Sequence, residues 1–390
     1  MKILLINDYL EGGGAEAVFG DQFNILKKKY EVDRFFACTT LSIRKYSPFA
    51  YIYSIRWKKK LTAFLKNKRF DRIILHNYCG ILSPSVLDAL AQYKKETGCK
   101  IIHYAHDYHL ICPNRGYFYV HKGKTINFLQ PPTIAEFLSK RLDYRGIIYS
   151  MLKKIQWIWA YTIRKKHHVF DLVLAPSDFL TNQLQQVYPT MPVHRMYNFC
   201  NALSISTITT NSDKNDTLRL VYFGRIAKEK GLAEFITALR SSAVNYTFTM
   251  IGEGIEKPRL QSLIKAYSLQ DKVFFKDRMD ISSLFSELLH YDVFVLPSLL
   301  YENAPLSVIE AASLGLGLFI THHGGALEIS RICHAAHFFD PENPADIVAN
   351  LAILYCDFVN NTLPKVDKRE LQALFSKEIY VQNLNKYLDE

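Results

Sequence analysis

Short apolar runs alternate with longer amphipathic stretches along both halves of the chain. In the first half, the runs that predict buried strands are Lys2–Asn7, Arg72–His76, Lys100–Ala105 and Asp171–Ala175. The stretches with helical periodicity are Ala15–Lys29 and Leu82–Lys94. Strands separated by helices indicate βαβ units that build a parallel sheet.

The second half repeats this alternation. Its predicted strands are Leu218–Phe223, Thr247–Ile251, Val273–Phe275, Asp292–Leu296 and Leu318–Thr321. The predicted helices between them are Gly231–Arg240, Pro258–Tyr267, Ser282–Leu289 and Pro305–Leu314. These patterns predict an α/β protein of two Rossmann-like, doubly wound domains, in which ligands bind at the carboxyl ends of the strands.

The domain limits follow from a change in composition. Asn, Ser, Thr and Asp dominate residues 197–217, which we interpret as a linker between a domain of residues 1–196 and a domain of residues 218–369. The final segment, residues 370–390, contains a further predicted helix at Glu378–Tyr387.

Charge is distributed unevenly over the two halves. The net charge is +11, but residues 1–200 carry 30 Lys and Arg against 14 Asp and Glu, whereas residues 201–390 carry 18 against 23. The basic half predicts an anionic partner. Arg56–Lys60 and Lys153–Trp159 mix cations with aromatics, which on an interfacial helix favours an anionic membrane. The alternative is a solvated helix face with tryptophans in the core. No nucleic-acid-binding module is recognised.

The cysteines and the apolar runs bear on the compartment. Seven cysteines without a C-x-x-C pair indicate reduced thiols rather than a disulfide framework or a zinc site. The amino-terminal apolar run is shorter than a signal peptide, and no apolar stretch has the length of a membrane span. We therefore expect a cytoplasmic protein, with a peripheral position on the inner face of the plasma membrane left open.

Two glutamates flank a predicted helix start in the segment Tyr301–Ala311. Proline favours the first helical position, so Pro305 puts Glu302 on the preceding loop and Glu310 one to two turns into the helix. The backbone N–H groups near Leu306 and Ser307 would bind an anion. The two carboxylates would then bind the hydroxyls of a sugar and of a ribose. The alternative is a capping glutamate and a surface glutamate.

Glycine-rich turns follow several predicted strands. In Phe223–Gly231, Arg225 and Lys230 would neutralise a diphosphate, although a solvated charge run is the commoner fate of such residues. Gly12–Gly14 precede a helix and allow a ligand to approach the backbone, or form a plain turn. Gly252 and the pair Gly324-Gly325 end two further strands and would face the same ligand site.

Histidines and one cysteine are candidates for reaction chemistry. His106 follows a predicted strand and stands next to Asp107, which favours a role in the site over that of a buried, hydrogen-bonded histidine. Cys112 precedes Pro113 among apolar neighbours, which suits a structural thiol better than a nucleophile. His322-His323 lacks further ligands for a metal, and no Asp-x-Asp pair is present, so a metal-independent site is implied.

Taken in order, these elements resemble the family 4 retaining glycosyltransferases of the GT-B fold, in which two Rossmann-like domains face each other across a cleft. The matching pieces are Gly12–Glu16, His106-Asp107 with Cys112-Pro113, Gly224–Gly231, Ile251–Gly254, Glu302–Ala311, and Gly324-Gly325 with Glu328. They cover nearly the whole chain.

The resemblance implies roles for individual residues. Arg225 and Lys230 correspond to the diphosphate clamp, Glu310 to the ribose ligand, and Glu302 to the residue that holds the donor sugar. His106 corresponds to the residue of the first domain beside the reacting sugar. The resemblance also implies that the last helix, within residues 370–390, packs back on the first domain.

Further donor contacts are implied for Gly13 and Gly14, near the phosphates and acceptor, for Gly252, and for Arg278, where family members contact the base. One stretch departs from the family pattern. Glu302-Asn303-Ala304-Pro305 replaces an acidic-Gly-aromatic-Gly sequence, and the missing N–H of Pro305 changes which backbone groups touch the donor.

The expected activity is therefore transfer of a sugar, with retention of configuration, from a nucleoside-diphosphate sugar of the UDP or GDP type to a lipid-linked or polysaccharide acceptor in cell-surface polysaccharide biosynthesis. Neither a metal nor another cofactor is expected. Two alternatives stay open: a sugar-nucleotide epimerase of the same fold, and a non-catalytic nucleotide-sugar-binding partner of a membrane complex. A phosphorylase would need a pyridoxal-binding lysine, which the sequence does not reveal.

Overall fold

A computed structural model describes residues 1–40, 47–204, 216–334, 336–364 and 366–389. The chain divides into two compact units, one formed by Met1–Tyr197 with Val381–Glu390 and the other by Asn198–Tyr380. Each unit contains a six-stranded sheet in which all strand pairs are parallel, which confirms the predicted doubly wound α/β class. Residues 205–215 of the predicted linker lie outside the described residues.

The first unit has the sheet order β2-β1-β3-β4-β7-β8, and β5 and β6 form a separate antiparallel hairpin. Its strands are β1 (Lys2–Glu11), β2 (Glu31–Thr40), β3 (Arg72–Leu75), β4 (Lys100–Tyr104), β5 (Phe118–His121), β6 (Lys124–Asn127), β7 (Leu172–Ala175) and β8 (Val193–Arg195). Its helices are α1 (Gly14–Leu26), α2 (Pro48–Ile52), α3 (Ile55–Leu65), α4 (Val86–Thr97), α5 (Ile134–Ser139), α6 (Ile147–Trp157) and α7 (Asp178–Val187).

The second unit has the sheet order β11-β10-β9-β12-β13-β14. Its strands are β9 (Leu218–Phe223), β10 (Tyr246–Ile251), β11 (Val273–Lys276), β12 (Val293–Leu296), β13 (Gly317–Thr321) and β14 (Ala336–Phe339). Its helices are α8 (Leu232–Leu239), α9 (Lys257–Ala266), α10 (Ile281–Leu288), α11 (Leu306–Ser313), α12 (Gly324–Ile332), α13 (Pro344–Val359) and α14 (Lys368–Phe375). The last helix, α15 (Lys377–Asp389), begins in this unit and ends in the first.

The central strands are apolar because helices cover both faces of each sheet. Ile3–Ile6 of β1 and all residues of β12 and β13 are buried, which is why the sequence shows continuous apolar runs there instead of alternation. The strands predicted from such runs are confirmed to within about two residues, apart from β1, which continues to Glu11.

Strands that contain charged residues or are very short were not predicted from the sequence. The polar residues Glu31, Asp33 and Arg34 interrupt β2, which lies at an edge of its sheet, and β8 has three residues. The predicted helix start at Pro305 was wrong by one residue, since α11 begins at Leu306 and Pro305 caps it.

Each sheet has one point where the strand order reverses direction. In the first unit this point lies between β1 and β3, and in the second between β9 and β12. Loops that follow the two strands diverge there and leave a crevice at their carboxyl ends, where ligands of this architecture bind.

The end of the chain completes the first unit. The Tyr30 hydroxyl donates to Oδ1 of Asn385 at 3.1 Å, and Nε of Arg72 donates to the carbonyl of Leu388 at 2.8 Å. Among the described helices, none is long and apolar enough to cross a membrane.

Candidate functional site

A lysine–glutamate pair occupies the reversal point of the second sheet. Lys230 lies on the turn after β9, and Glu302 lies on the loop after β12. Nζ of Lys230 and Oε1 of Glu302 are 2.6 Å apart, and the Ser298 hydroxyl donates to the same oxygen at 2.5 Å. The structure therefore brings two sequence-predicted site residues into direct contact.

Gly231 allows these two loops to come so close. Its φ is +65°, and a Cβ at this position would lie 1.9 Å from the carbonyl oxygen of Pro297. A backbone hydrogen bond of 2.9 Å from Leu299 to the carbonyl of Glu229 joins the same two loops. A side chain at Gly231 would push the turn that carries Lys230 away from the loop that carries Glu302.

The ion pair keeps Glu302 charged although it is shielded from solvent. Burial alone would raise the pKa of Glu302, but the adjacent Lys230 ammonium and the Ser298 hydroxyl outweigh this effect and hold the pKa below its ordinary value. Glu302 is thus a carboxylate at neutral pH. It has acceptor capacity for a hydroxyl of a ligand.

Arg225 lies at the same turn and pairs with a different carboxylate. Its guanidinium pairs with Glu229, and two thirds of its side chain is exposed. The Tyr222 hydroxyl donates to the Arg225 carbonyl at 2.8 Å and fixes the backbone of this turn. A ligand that binds Arg225 would compete with Glu229 for its guanidinium.

Two residues next to Glu302 were missed as parts of this site. The ring centroids of Tyr301 and His323 are 5.2 Å apart, and His323 immediately precedes α12. Burial lowers the pKa of His323 to about 4, so its ring is neutral. Nδ1 of His323 and the hydroxyl of Thr321 are buried and have no hydrogen-bond partner among the described residues. The loop after β13 that contains His323 was predicted to face the ligand site, but no role in the site was assigned to His323 itself.

The loop of Glu302 is clamped by the start of α12. The Gly325 N–H donates to the carbonyl of Glu302 at 2.7 Å, and a Cβ on Gly325 would lie 1.5 Å from the carbonyl oxygen of Asn303. Lys230, Ser298, Tyr301, Glu302 and His323 form what we call the Glu302 cluster.

The start of α11 follows the Glu302 loop. Leu306 and Ser307 form its first turn, where backbone N–H groups have no partner within the helix. Glu310 lies one turn further, beside Cys200 in the same unit, and burial raises its pKa to about 7. This carboxyl group changes charge in the physiological range.

The other predicted donor contacts are placed less centrally. Gly252 has a φ of +142°, and a Cβ added there would lie 2.1 Å from the carbonyl oxygen of Gly224. The close packing of these two loops therefore already requires glycine at position 252. Arg278 is exposed in the loop after β11.

In the first unit, His106 belongs to a stack of rings at the carboxyl ends of β3 and β4. Nε2 of His106 and Nδ1 of His76 are 2.7 Å apart, and Nε2 of His76 is 3.1 Å from Oε1 of Gln22. Tyr104 stacks on His76 with a centroid distance of 5.5 Å. We call these four residues the His106 cluster.

The histidines of this cluster are neutral. Burial, with a smaller contribution from the nearby His103, lowers the pKa of His106 to about 3. Burial likewise holds the pKa of His76 well below its ordinary value, and His106 adds to the effect. A neutral imidazole can accept or donate a hydrogen bond, but it supplies no cation at neutral pH.

A buried carboxylate holds the loop beside this cluster. Asp8 accepts the N–H groups of Gly80, Ile81 and Leu82 at 2.8 to 3.0 Å, which ties the end of β1 to the loop after β3. Nη2 of Arg115 lies 3.9 Å from Oδ2 of Asp8. The loops at the reversal point of the first sheet are therefore fixed in place.

Arg115 also approaches the neighbour of His106. Its Nε lies 3.8 Å from Oδ2 of Asp107. Burial raises the pKa of Asp107, and Arg115 opposes this effect. Asp107 accepts the N–H of His109 at 2.8 Å, so it shapes the loop after β4.

The glycine run leads into α1 and lies at the surface. Gly13 caps the helix, and its N–H donates to Oε2 of Glu16 at 2.8 Å. Gly13 and Gly14 are exposed, and no atom lies within 4 Å of a Cβ added at Gly14. The backbone of this turn is thus accessible to a ligand.

Cys112 is a structural thiol, as the sequence favoured. It is fully buried, its Sγ donates to Oδ1 of Asn114 at 3.1 Å, and burial raises its pKa to about 12. A thiol with so high a pKa is a poor nucleophile.

The predicted interfacial segment Lys153–Trp159 does not present its cations and aromatics together. Lys153 pairs with the buried Asp143 at 2.8 Å, and Trp157 is buried. In the other predicted segment, Arg56, Lys59 and Lys60 are exposed.

Comparison with known proteins finds a family match within the second unit. Residues 207–358 match the model of the family Glycosyl transferases group 1. A putative colanic acid biosynthesis glycosyltransferase, WcaL of Salmonella typhimurium, is 26% identical over 231 residues. That match covers 56% of this chain and 55% of WcaL, so the chain spans about half the length of this relative.

Solved structures share the fold over the whole chain. Sucrose-phosphate synthase from Thermosynechococcus elongatus aligns with a TM-score of 0.73 and 16% identity, covering 99% of this chain and 98% of that chain. Alr3699/HepE of Anabaena, solved in complex with UDP, aligns with a TM-score of 0.66 and 15% identity over the full length of both chains. The fold is that of the GT-B glycosyltransferases, as the sequence predicted.

Proposed function

We propose that this protein is a retaining glycosyltransferase that transfers a sugar from a nucleoside-diphosphate sugar to a lipid-linked or polysaccharide acceptor in cell-surface polysaccharide biosynthesis. The observation that carries the proposal is the Lys230–Glu302 pair of 2.6 Å at the reversal point of the second sheet. The family match of this unit and the colanic acid relative support the reaction class and the pathway type.

Positive charge at this point serves the leaving group. A departing nucleoside diphosphate gains negative charge, which Lys230, Arg225 and the N–H groups of Leu306 and Ser307 would stabilise. These groups supply the charge within the protein, so the proposed reaction uses neither a metal ion nor a further cofactor. UDP is the first nucleotide to test, because HepE of Anabaena was solved with it, and GDP is the second.

The two glutamates would bind different parts of the donor. Glu302, held ionised by Lys230, accepts hydrogen bonds from hydroxyls of the donor sugar. Glu310 accepts the ribose hydroxyls in its ionised form, which is present above a pH of about 7. Arg278 and Gly252 would complete the contacts to the base and phosphates.

The first unit would serve the acceptor and the sugar. His106, which is neutral, would form a hydrogen bond with a sugar hydroxyl without adding a charge. Gly13 and Gly14 offer accessible backbone to a ligand of the first unit. Peripheral contact with an anionic membrane would bring the protein to a lipid-linked acceptor.

The bond changes take place on one face of the sugar. The acceptor oxygen forms a bond to the anomeric carbon on the face from which the diphosphate oxygen departs, and the acceptor proton passes to that oxygen. The configuration is retained and no covalent enzyme intermediate is needed.

A thermal-shift screen against UDP, GDP, ADP and their common sugar conjugates tests the donor site. One nucleotide should raise the melting temperature by mass action, and Glu310→Ala should abolish the rise. Transfer to a lipid-linked acceptor should be lost in Glu302→Ala. A nucleotide shift without any transfer would support the non-catalytic alternative, release of free sugar without acceptor would support an epimerase, and full transfer by Glu302→Ala would refute the assignment.

A further inference from the structure

Large apolar side chains are exposed in one short part of the first unit. Ten of the eighteen strongly exposed large hydrophobic residues among the described residues lie between positions 129 and 163. This stretch contains α5 and α6. An apolar patch of this density on a protein surface marks a site of interaction.

Helix α6 exposes apolar side chains to solvent and buries polar side chains. Ile147, Ile148, Met151 and Ile155 are 68%, 74%, 52% and 48% exposed and fall within one stripe at helical spacing. The opposite side contains polar side chains that are buried, with Ser150 and Gln156 among them.

The buried polar side chains anchor the helix to its own unit. The Ser150 hydroxyl accepts the N–H of Leu142 at 2.8 Å. Nε2 of Gln156 donates to the carbonyls of Tyr51 and Cys79, the latter at 3.3 Å. Lys153 pairs with Asp143. These contacts fix the orientation of α6, so the apolar stripe faces outward as part of the folded structure.

Helix α5 extends this surface. Nζ of Lys154 on α6 donates to the carbonyl of Leu138 at 3.0 Å, and the rings of Phe137 and Trp157 pack at 5.0 Å. Ile134 and Leu138, next to these contacts, are 44% and 60% exposed. The outward apolar residues of the two helices, Ile134, Leu138, Ile147, Ile148, Met151 and Ile155, form what we call the α5–α6 surface.

The charge around this surface is strongly positive. Residues 129–165 contain seven Lys and Arg but two acidic residues, Glu136 and Asp143. Asp143 is buried and paired with Arg145 and Lys153, and Glu136 caps the start of α5. Arg164 and Lys165, shortly after α6, are exposed. The partner of the α5–α6 surface must therefore accept apolar side chains and carry negative charge.

We propose that the α5–α6 surface docks in the interfacial region of an anionic lipid bilayer. A helix with an apolar face and flanking Lys and Arg lies in the plane of such an interface. A second copy of the chain is a poorer occupant, since it would bring two basic surfaces together. The inference deepens the proposed function by naming the surface that meets the membrane of the acceptor, but vesicle binding is measured without donor or acceptor.

Flotation of the full-length protein with vesicles tests the inference. The protein should float with vesicles of phosphatidylcholine and phosphatidylglycerol and far less with phosphatidylcholine alone, and added salt should weaken binding. Ile147→Gln/Ile148→Gln should lower the partition coefficient at least about tenfold, because two side chains lose apolar burial. The matched control Ile255→Gln removes an equally exposed isoleucine of the second unit and should bind as the unaltered protein does.

The remaining outcomes separate the surface from the active site. Both variants should keep the melting temperature and its rise with nucleotide, because no substituted residue lies in either cluster. Absence of flotation, or equal flotation of the double variant and the control, would overturn the inference while an intact nucleotide shift leaves the proposed function standing. A double variant that turns a dimer into a monomer in light scattering, without any vesicle binding, would assign the surface to a second copy.

Discussion

The Glu302 cluster and the His106 cluster both lie at the carboxyl ends of strands in two similar sheets. The first cluster contains a charged pair, whereas the histidines of the second are neutral. In the second unit, Lys230 and Glu302 are 2.6 Å apart and the pKa of Glu302 is lowered. In the first unit, burial lowers the pKa of His106 to about 3, so its rings stay neutral. The difference shows that one architecture supplies either fixed charge or neutral hydrogen bonding at the ends of its strands. A diphosphate needs the first, and a sugar hydroxyl is served by the second.

Removal of the lysine should have the largest effect on this comparison. Lys230→Met leaves Glu302 without its cation and removes a charge from the proposed diphosphate site, so we expect kcat/KM to fall about 10²- to 10³-fold. The melting temperature should also fall, because the Glu302 carboxylate stays largely shielded from solvent after its ion-pair partner is removed. Initial rates and thermal unfolding measure the two effects.

A second variant and a control make this prediction sharper. Lys230→Met/Glu302→Gln should recover much of the lost stability without recovering activity, since the neutral amide needs no cation. Lys228→Met removes an exposed lysine from the same turn and should change neither quantity appreciably. If Lys230→Met and Lys228→Met had equal rates, the fixed charge at Lys230 would have no part in the reaction.

Two glycines test how the loops of the second unit are held together. Gly231 and Gly98 have similar φ values of +65° and +73°, but a Cβ would meet the Pro297 carbonyl at 1.9 Å in the first case and nothing within 4 Å in the second. Gly98→Ala should cost about 1 kcal/mol in the free energy of unfolding for the left-handed conformation alone. Gly231→Ala should cost about 3 kcal/mol, since overpacking adds to it. Denaturant unfolding measures both, and equal costs would show that the two loops can separate freely.

How far the sequence predicted these features depends on the kind of contact. The continuous apolar runs of β9 and β12, and the turns behind them, are local patterns, and they suffice to place Lys230 and Glu302 at one crevice. The Arg225–Glu229 pair was not predicted, because the turn contains one carboxylate, Glu229, and three cations, Arg225, Lys228 and Lys230, that could pair with it. His76 and Asp8 escaped as well, since their roles arise from residues far along the chain, His106 and Gly80.

Titration offers a way to separate the two units. Glu310 has a pKa of about 7, above its ordinary value, so the affinity for nucleotide should drop as the pH falls below about 7 and this carboxyl group, which we propose binds the ribose, becomes neutral. We expect about a tenfold weaker Kd for Glu310→Gln at about pH 8, the loss of a charged hydrogen-bond acceptor. His106→Asn should keep the pH step of the unaltered protein, because His106 does not titrate in this range. Calorimetry from about pH 6 to about pH 8 compares the three proteins, and the ionisation of the nucleotide phosphate is common to all.

The stability of the protein without nucleotide should change with pH in the opposite direction to the nucleotide affinity. A carboxyl group whose pKa is raised in the folded state contributes stability below its ordinary pKa, and this contribution is lost as the pH rises through about 7. Glu310→Gln should therefore melt at a higher temperature than the unaltered protein at about pH 8 when no nucleotide is present. If the change of nucleotide affinity with pH vanished in His106→Asn and persisted in Glu310→Gln, the titrating group would lie in the first unit and the assignment of charge states would be reversed.

The smallest expected effect concerns Arg225, whose guanidinium pairs with Glu229. Arg225 pairs with Glu229 and is largely exposed, so binding of a diphosphate requires it to exchange one anion for another. Exposed pairs of this kind contribute less than about 1 kcal/mol, so Glu229→Gln should tighten the Kd for the nucleotide diphosphate by up to about fivefold. Arg225→Met should weaken binding, and adding Glu229→Gln to it should bring no gain, because the substitution acts only by releasing the arginine. Calorimetry on the four proteins forms a double-mutant cycle. A gain of the same size in both backgrounds would mean that Glu229 repels the diphosphate directly, and Arg225 would then no longer belong to the clamp.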